Sequence, residues 1–117
     1  MLNPYDEHQR LEVMLACCVK AVQSHFSHIA VRDIIWPPRD LFDAALARQV
    51  AIYILHIEFE VPRRRIVKMQ ARQRTSISFA IRKIDERLGC PVFARAYSRM
   101  AAKAKDIFMQ QLRKAAA

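Results

Sequence analysis

The 117-residue sequence has a single glycine, at position 89. Sheet-rich folds need many tight turns, and glycine supplies the left-handed backbone conformations that such turns use. A phosphate-binding loop of the G-x-x-x-x-G-K-S/T type needs two glycines, so the chain has no loop of that type. The scarcity of glycine favours a helical protein and excludes an ATPase of that class. We expect no bound nucleotide and no cofactor.

Cysteine and long apolar runs are also scarce. Three cysteines, of which Cys17 and Cys18 are adjacent and Cys90 stands apart, do not form the even-numbered pattern of a disulfide framework. No apolar run reaches the roughly 18 to 20 residues needed to cross a bilayer, and the N-terminus lacks the pattern of a secretory signal. These features predict a cytoplasmic protein that does not span a membrane.

Acidic residues are absent from positions 61–84. Residues 1–60 hold five Lys or Arg against eight Asp or Glu, whereas residues 61–117 hold 15 against three. The halves therefore carry net charges of −3 and +12, although 53% of all residues are hydrophobic, as in a folded domain. A polyanion is the partner that this charge distribution favours.

Helical spacing of apolar residues, interrupted by Pro and turn residues, predicts an all-α fold. Asn3 and Pro4 are expected to begin the first helix. Pro62 is expected to begin a short helix that ends at a turn around residues 70–73. Residues 27–40 are expected to be irregular, with Trp36 as a core residue before the Pro37-Pro38 pair. The longer helices are expected at about 4–25, 40–58, 74–88 and 92–114.

Two faces can be assigned to the helix at 74–88. Ile77, Ile81, Ile84 and Leu88 fall within one narrow arc, which predicts a buried stripe. The opposite face then carries Thr75, Phe79, Arg82 and Glu86, flanked by Ser76, Ser78 and Lys83. Hydroxyl, cationic and aromatic side chains of this kind suit contacts with DNA bases and phosphates. Together with the short basic helix before it, this segment has the outline of a helix-turn-helix.

The candidate DNA contacts follow from these faces. The base-reading candidates are Gln73, Arg74, Thr75, Ser76 and Phe79. The candidates for phosphate contacts are Arg63, Arg64, Arg65, Lys68, Arg72, Arg82 and Lys83, and the family resemblance described below implies Arg48 as a further candidate, for the minor groove.

Three stretches carry a resemblance to a known family. The runs "VRDII" (31–35), "ARQVAIYIL" (47–55) and "RQRTSISFAIRKI" (72–84) resemble the C-terminal DNA-binding domain of the bacterial chromosomal replication initiator family DnaA. The resemblance covers about residues 14–88. It implies a helix-turn-helix domain at 1–90, followed by an additional amphipathic helix at 91–117, in a nucleoid-associated bacterial regulator of transcription or replication.

The resemblance also implies roles for individual residues. Arg72 falls on the basic position of the family signature, and Thr75 and Ser76 fall on the hydroxyl pair that contacts the major groove. Gln73 and Arg74 replace the acidic residue and the histidine of the signature. An arginine at the second of these positions can bond guanine with two hydrogen bonds, so a changed target sequence is expected.

The sequence also leaves other functions open. The basic face could bind an acidic protein partner, or bind DNA without sequence preference as an architectural protein. A zinc site is not expected, because its paired ligand spacing is absent from the group Cys17, Cys18, His25 and His28. Catalysis by a cysteine and a histidine is not expected either, because no Gly-rich loop is present to form an oxyanion hole. The final helix, 92–114, would either cover the domain or pair with a second copy in a homodimer.

Overall fold

The all-α prediction is confirmed by a computed structural model that describes residues 6–70 and 74–116. Six helices and no strands occur within these ranges. None of the helices found there combines the length and the apolar character required to cross a bilayer. The helices are α1 (Glu7–His25), α2 (Val31–Ile35), α3 (Phe42–Ile57), α4 (Arg63–Gln70), α5 (Arg74–Arg87) and α6 (Pro91–Ala116).

The first helix begins later than the sequence predicted. Asp6 is its N-cap, and the Asp6 carboxylate accepts a hydrogen bond from the Gln9 backbone N–H at 3.3 Å. Such a cap satisfies one of the donors that every helix start leaves without an intrahelical partner. The predicted start at Asn3 and Pro4 lies outside the described residues.

The segment between α1 and α3 differs from the irregular structure that was predicted. It contains the short helix α2. Ile29 and Ile34 are buried as expected, but Val31 and Ile35, which were expected to pack against the core with them, are exposed. Trp36, predicted to be a core residue, is 61% exposed. Trp36 lies two residues after Ile34, about 200° around a helix, so burial of Ile34 turns Trp36 towards solvent.

The third helix forms the centre of the fold, because α1, α2, α4, α5 and α6 all contact it. A helix surrounded in this way is apolar on most of its sides. Val50 and Ile54 are buried as predicted, but Leu41 and Ile57, also predicted to face inward, are exposed. Leu41 precedes the helix and Ile57 is its last residue, so both extend beyond the neighbours that cover its middle.

The chain reverses after α3 without a glycine. Glu60 has a φ of 57°, in the left-handed region, and the Val61 N–H donates to the carbonyl of Leu55 at 3.2 Å. The bond closes a turn of seven residues, and the left-handed position within it is one that glycine normally occupies. Glu60 occupies this position in the absence of a glycine, and its left-handed conformation is strained because the residue has a side chain. Pro62 accepts the first hydrogen bonds of α4, as its predicted position at a helix start requires.

The last helix packs chiefly along α1. Tyr97, Met100, Ala104 and Phe108 are buried on its inner side, as the apolar spacing predicted. Pro91 is its first residue, so this proline begins α6 and does not merely follow the end of α5. The apolar side of α6 therefore packs mainly against α1 of the same chain.

Candidate nucleic-acid interface

The fifth helix has the two faces that the sequence predicted. Ile77, Ile81 and Ile84 are buried against the rest of the domain. Thr75, Phe79 and Arg82 are exposed on the other side. The core therefore fixes the rotation of α5 about its axis, and this rotation determines which side chains a partner can reach.

Phe79 stands among cations on the exposed face of α5. Its ring is 43% exposed, and the Arg82 Cζ and Lys83 Nζ atoms each lie 5.6 Å from the ring centroid. These residues are three and four positions further along the helix, the spacing that brings side chains together. Lys83 also forms an ion pair of 3.7 Å with Glu86. Arg82 is thus more available than Lys83 to an anionic partner.

The candidates at the start of α5 lie close together. Arg74 and Thr75 are exposed, and Ser76 is half-buried in the wall of a cleft that adjoins Phe79. Gln73 and Arg72 lie outside the described residues.

The cations of α4 fall into two groups. Arg63 and Arg64 are exposed at its start, while Ile66 anchors the helix in the core. Arg65 forms an ion pair with Glu7 of α1, and Lys68 lines the same cleft beside the start of α1. The four predicted phosphate contacts of α4 therefore have different surroundings, because Arg65 is paired with Glu7 and Lys68 lines a cleft that Asp6 and Glu7 also line.

Arg48 differs most from its predicted surface position. It is only 7% exposed, and its Nη2 atom lies 3.4 Å from the side-chain oxygen of Gln70. The side chain extends from α3 towards the end of α4, which places the guanidinium between helices. This arrangement joins the two helices, and it corrects the expectation that Arg48 is placed to reach a DNA groove.

Residues 36–42 form part of the surface beside the exposed face of α5, which the spacing of apolar residues did not predict. Pro37, Pro38 and Arg39 form one side of a cleft of about 210 Å³ whose other side includes Ser76 and Phe79. Phe42, at the start of α3, is 66% exposed, with the Arg87 Cζ atom of α5 5.7 Å from its ring centroid. Trp36 and Leu41 in this segment were predicted to face the core, and local periodicity gave no sign of their exposure.

A chain of polar contacts links α5 to α3 and α6. The Tyr53 hydroxyl of α3 donates to Asp85 of α5 at 2.5 Å, and its ring meets that of Tyr97 edge to face at 5.4 Å. Tyr97 in turn donates to Glu58 at 3.0 Å, and Glu58 accepts from Lys105 of α6 at 2.7 Å. Burial, followed by the bond to Asp85, raises the pKa of Tyr53 to about 12.

The thiols and histidines do not form a reaction centre in the described part of the chain. Burial raises the pKa of Cys17 and of Cys18, while backbone N–H groups of Phe93 and Val92 lower the pKa of exposed Cys90. His28 contacts Asp43 at 3.1 Å and not a cysteine. Among residues 6–70 and 74–116, no three His, Cys, Asp or Glu side chains are grouped as metal ligands.

A further cleft lies away from α5, between α1 and α2. It has a volume of about 480 Å³, and its walls are mainly apolar side chains of α1 and α2, with Glu12 and Lys20 at the rim. An apolar cleft without convergent polar groups offers shape but little chemistry. We therefore place the candidate interface on the exposed face of α5, where hydroxyl, guanidinium and aromatic groups lie together.

Comparison with known proteins gives this chain no relative: no protein-family model, no curated protein and no solved structure matches it.

Proposed function

We propose that the protein binds double-stranded DNA and that α5 enters the major groove. The observation that carries the proposal is the division of α5 into a buried isoleucine stripe and an exposed face with Thr75, Phe79 and Arg82. A helix of about 10 to 12 Å in diameter fits the major groove of B-form DNA. The side chains on such a face can then reach base edges.

The charge distribution supports the same proposal. Positions 61–84 contain eight Lys or Arg and no acidic residue. Arg63, Arg64 and Arg74 are exposed near the start of α4 or α5, so they are available to phosphates. A solvated helical surface usually alternates positive and negative side chains, which stabilise the helix through pairs three or four residues apart. A stretch of chain that contains cations and no acidic residue is better suited to a polyanion.

Base recognition and phosphate binding are assigned to different residues in this proposal. Arg74 and Thr75, at the start of α5, are the base-reading residues, and Arg74 would favour guanine through two hydrogen bonds. Arg63 and Arg64 would hold the phosphate backbone. Contacts of the first kind specify the sequence, and contacts of the second kind position the protein on any duplex.

The resemblance to the DnaA C-terminal domain supports a regulatory role. The "ARQ" run lies on α3 and "RTSISFAIRKI" on α5, the two helices that position the exposed face. We infer a regulator of transcription or replication that has this type of DNA-binding domain without an ATPase. The packing of α6 on α1 favours a monomer over a dimer formed through the apolar side of that helix.

The test is a fluorescence-anisotropy titration of a random duplex library, followed by sequencing of the bound fraction. Arg74→Ala is expected to change the enriched sequence, whereas Arg64→Ala should weaken all duplexes alike. Arg113→Ala, which removes an exposed charge at the far end of α6, is the matched control.

Each alternative function has its own outcome in this test. Salt-sensitive binding without an enriched sequence would replace the regulator by an architectural protein. Absence of duplex binding at moderate salt, together with binding to an acidic protein, would assign the basic surface to protein interaction.

A further inference from the structure

Two phenylalanines are exposed beside the proposed interface. Phe42 is 66% exposed at the start of α3, and Phe79 is 43% exposed on α5. Large apolar side chains that remain in contact with water at one place often mark a binding surface. The duplex-binding proposal explains only Phe79, because Phe42 lies on a different helix.

Both rings belong to one continuous surface. Phe42 and Ala45 are three residues apart on α3, so they lie on the same side of that helix. Ala45 lines the cleft of about 210 Å³ that Phe79, Pro37, Pro38 and Arg39 also line. We call the surface formed by Pro37, Pro38, Arg39, Phe42 and Phe79 the aromatic corner.

Cations accompany each ring of the aromatic corner. The guanidinium of Arg87 lies 5.7 Å from the centroid of Phe42, and that of Arg82 lies 5.6 Å from the centroid of Phe79. Arg39 adds a third exposed guanidinium at the cleft. Of the acidic residues nearby, Asp43 contacts His28 and Glu86 contacts Lys83, while Asp40 is exposed next to Arg39. The surface thus matches a ligand with flat apolar faces and negative charges.

We propose that the aromatic corner binds single-stranded DNA by stacking unpaired bases on Phe42 and Phe79. Proteins that hold single strands combine aromatic side chains for the bases with cations for the backbone. The paired bases of an intact duplex have no free face to offer, so Phe42 distinguishes the two kinds of DNA. An acidic peptide would satisfy the charges but would leave the rings without a stacking partner.

The stacking site goes beyond the duplex-binding function, and only its use at junctions rests on that function. The aromatic corner adjoins the exposed face of α5, and Phe79 and Arg82 belong to both surfaces. A strand that leaves a duplex held by α5 would reach Phe42 next. The protein would therefore hold junctions between double-stranded and single-stranded DNA.

The test compares a thymidine oligonucleotide with an abasic strand of the same length, which has the same phosphates and no bases. A strand of about 12 nucleotides covers the site sizes usual for such surfaces. The fluorescence of Trp36, the chain's one tryptophan, reports binding because Trp36 directly precedes the aromatic corner. We expect the thymidine strand to bind at least about fivefold more tightly, since one stacked base is worth about 1 kcal/mol or more.

Variants then assign the effect to Phe42. Phe42→Ala should weaken binding of the thymidine strand at least about fivefold, while binding of the abasic strand and of duplex DNA stays unchanged. Phe42→Tyr should retain binding, because the ring remains. The matched control is Val92→Ala, which shortens an equally exposed side chain (67%) on α6.

The outcomes separate this inference from the duplex-binding proposal. Equal affinity for the two strands, no effect of Phe42→Ala, or binding of polyglutamate as tight as that of the thymidine strand would each overturn the stacking site. Loss of thymidine-strand binding in Phe42→Ala without any duplex binding in the parent would support the stacking site and refute the duplex function. Circular dichroism of each variant confirms that the helices are intact.

Discussion

Substitutions on the two sides of α5 should have opposite consequences. Ile84 is fully buried, so Ile84→Ala removes packed atoms and leaves a cavity. Such a change costs about 2 to 5 kcal/mol of the free energy of unfolding. Arg82 is exposed on the same helix, and Arg82→Ala should change that free energy by less than about 0.5 kcal/mol.

Urea unfolding followed by far-ultraviolet circular dichroism measures both changes. For a domain of this size, the free energy of unfolding falls by about 1 to 3 kcal/mol for each molar of urea. Ile84→Ala should therefore lower the midpoint by about 0.7 to 5 M, and Arg82→Ala by less than about 0.5 M. DNA affinity, measured at a urea concentration where both variants are folded, should fall only in Arg82→Ala.

A specific result would refute this assignment of the faces. If Arg82→Ala lowered the midpoint as much as Ile84→Ala, the exposed side of α5 would be packed against protein. If Ile84→Ala left the midpoint unchanged and reduced DNA affinity, the helix would be rotated about its axis relative to the structure described above.

Four further measurements address other parts of the molecule. In the native protein at neutral pH, Cys90 should react with a thiol reagent well before the two buried cysteines, whose reaction requires unfolding; equal rates would contradict the burial of the α1 thiols. Because the pKa of Tyr53 is raised to about 12, its contribution to stability should be complete below pH 10 and be lost as the pH rises towards 12. Tyr53→Phe should flatten this alkaline loss, and an unchanged slope would show that other groups cause it. Arg64→Ala should reduce the slope of log affinity for duplex DNA against log salt by about 1, and an unaltered slope would remove Arg64 from the phosphate contacts. Glu60→Gly should raise the free energy of unfolding by about 1 kcal/mol, since glycine relieves the left-handed strain, and a lower thermal midpoint would refute this account of the turn.

Local periodicity predicted the parts of the fold that depend on one helix at a time. The spacing of Ile77, Ile81 and Ile84 defines a buried stripe whatever lies against it, and the structure confirms that stripe. The inner side of α6 follows in the same way from Tyr97 and Met100. An amphipathic helix contains within its own sequence the information on which side is buried.

Features that depend on contacts between distant segments were not predictable from spacing. Arg48 is buried because the end of α4 lies across α3, a contact between residues 22 positions apart. Trp36 and Phe42 are large and apolar, which favours burial in general, but their exposure is decided by how α2 and α3 pack on their neighbours. The aromatic corner could be located only once α3 and α5 were seen side by side.

The polar chain from Lys105 through Glu58, Tyr97 and Tyr53 to Asp85 has a consequence for shortened versions of the protein. A protein that ended before α6 would lose Tyr97 and Lys105, leaving Glu58 without either hydrogen-bond donor. It would also uncover the side of α1 on which α6 packs. The helix α5, which contacts DNA in our proposal, is therefore stabilised partly by contacts of α6. A fragment of residues 1–90 would lack these contacts, so α5 would be less firmly held than in the full chain.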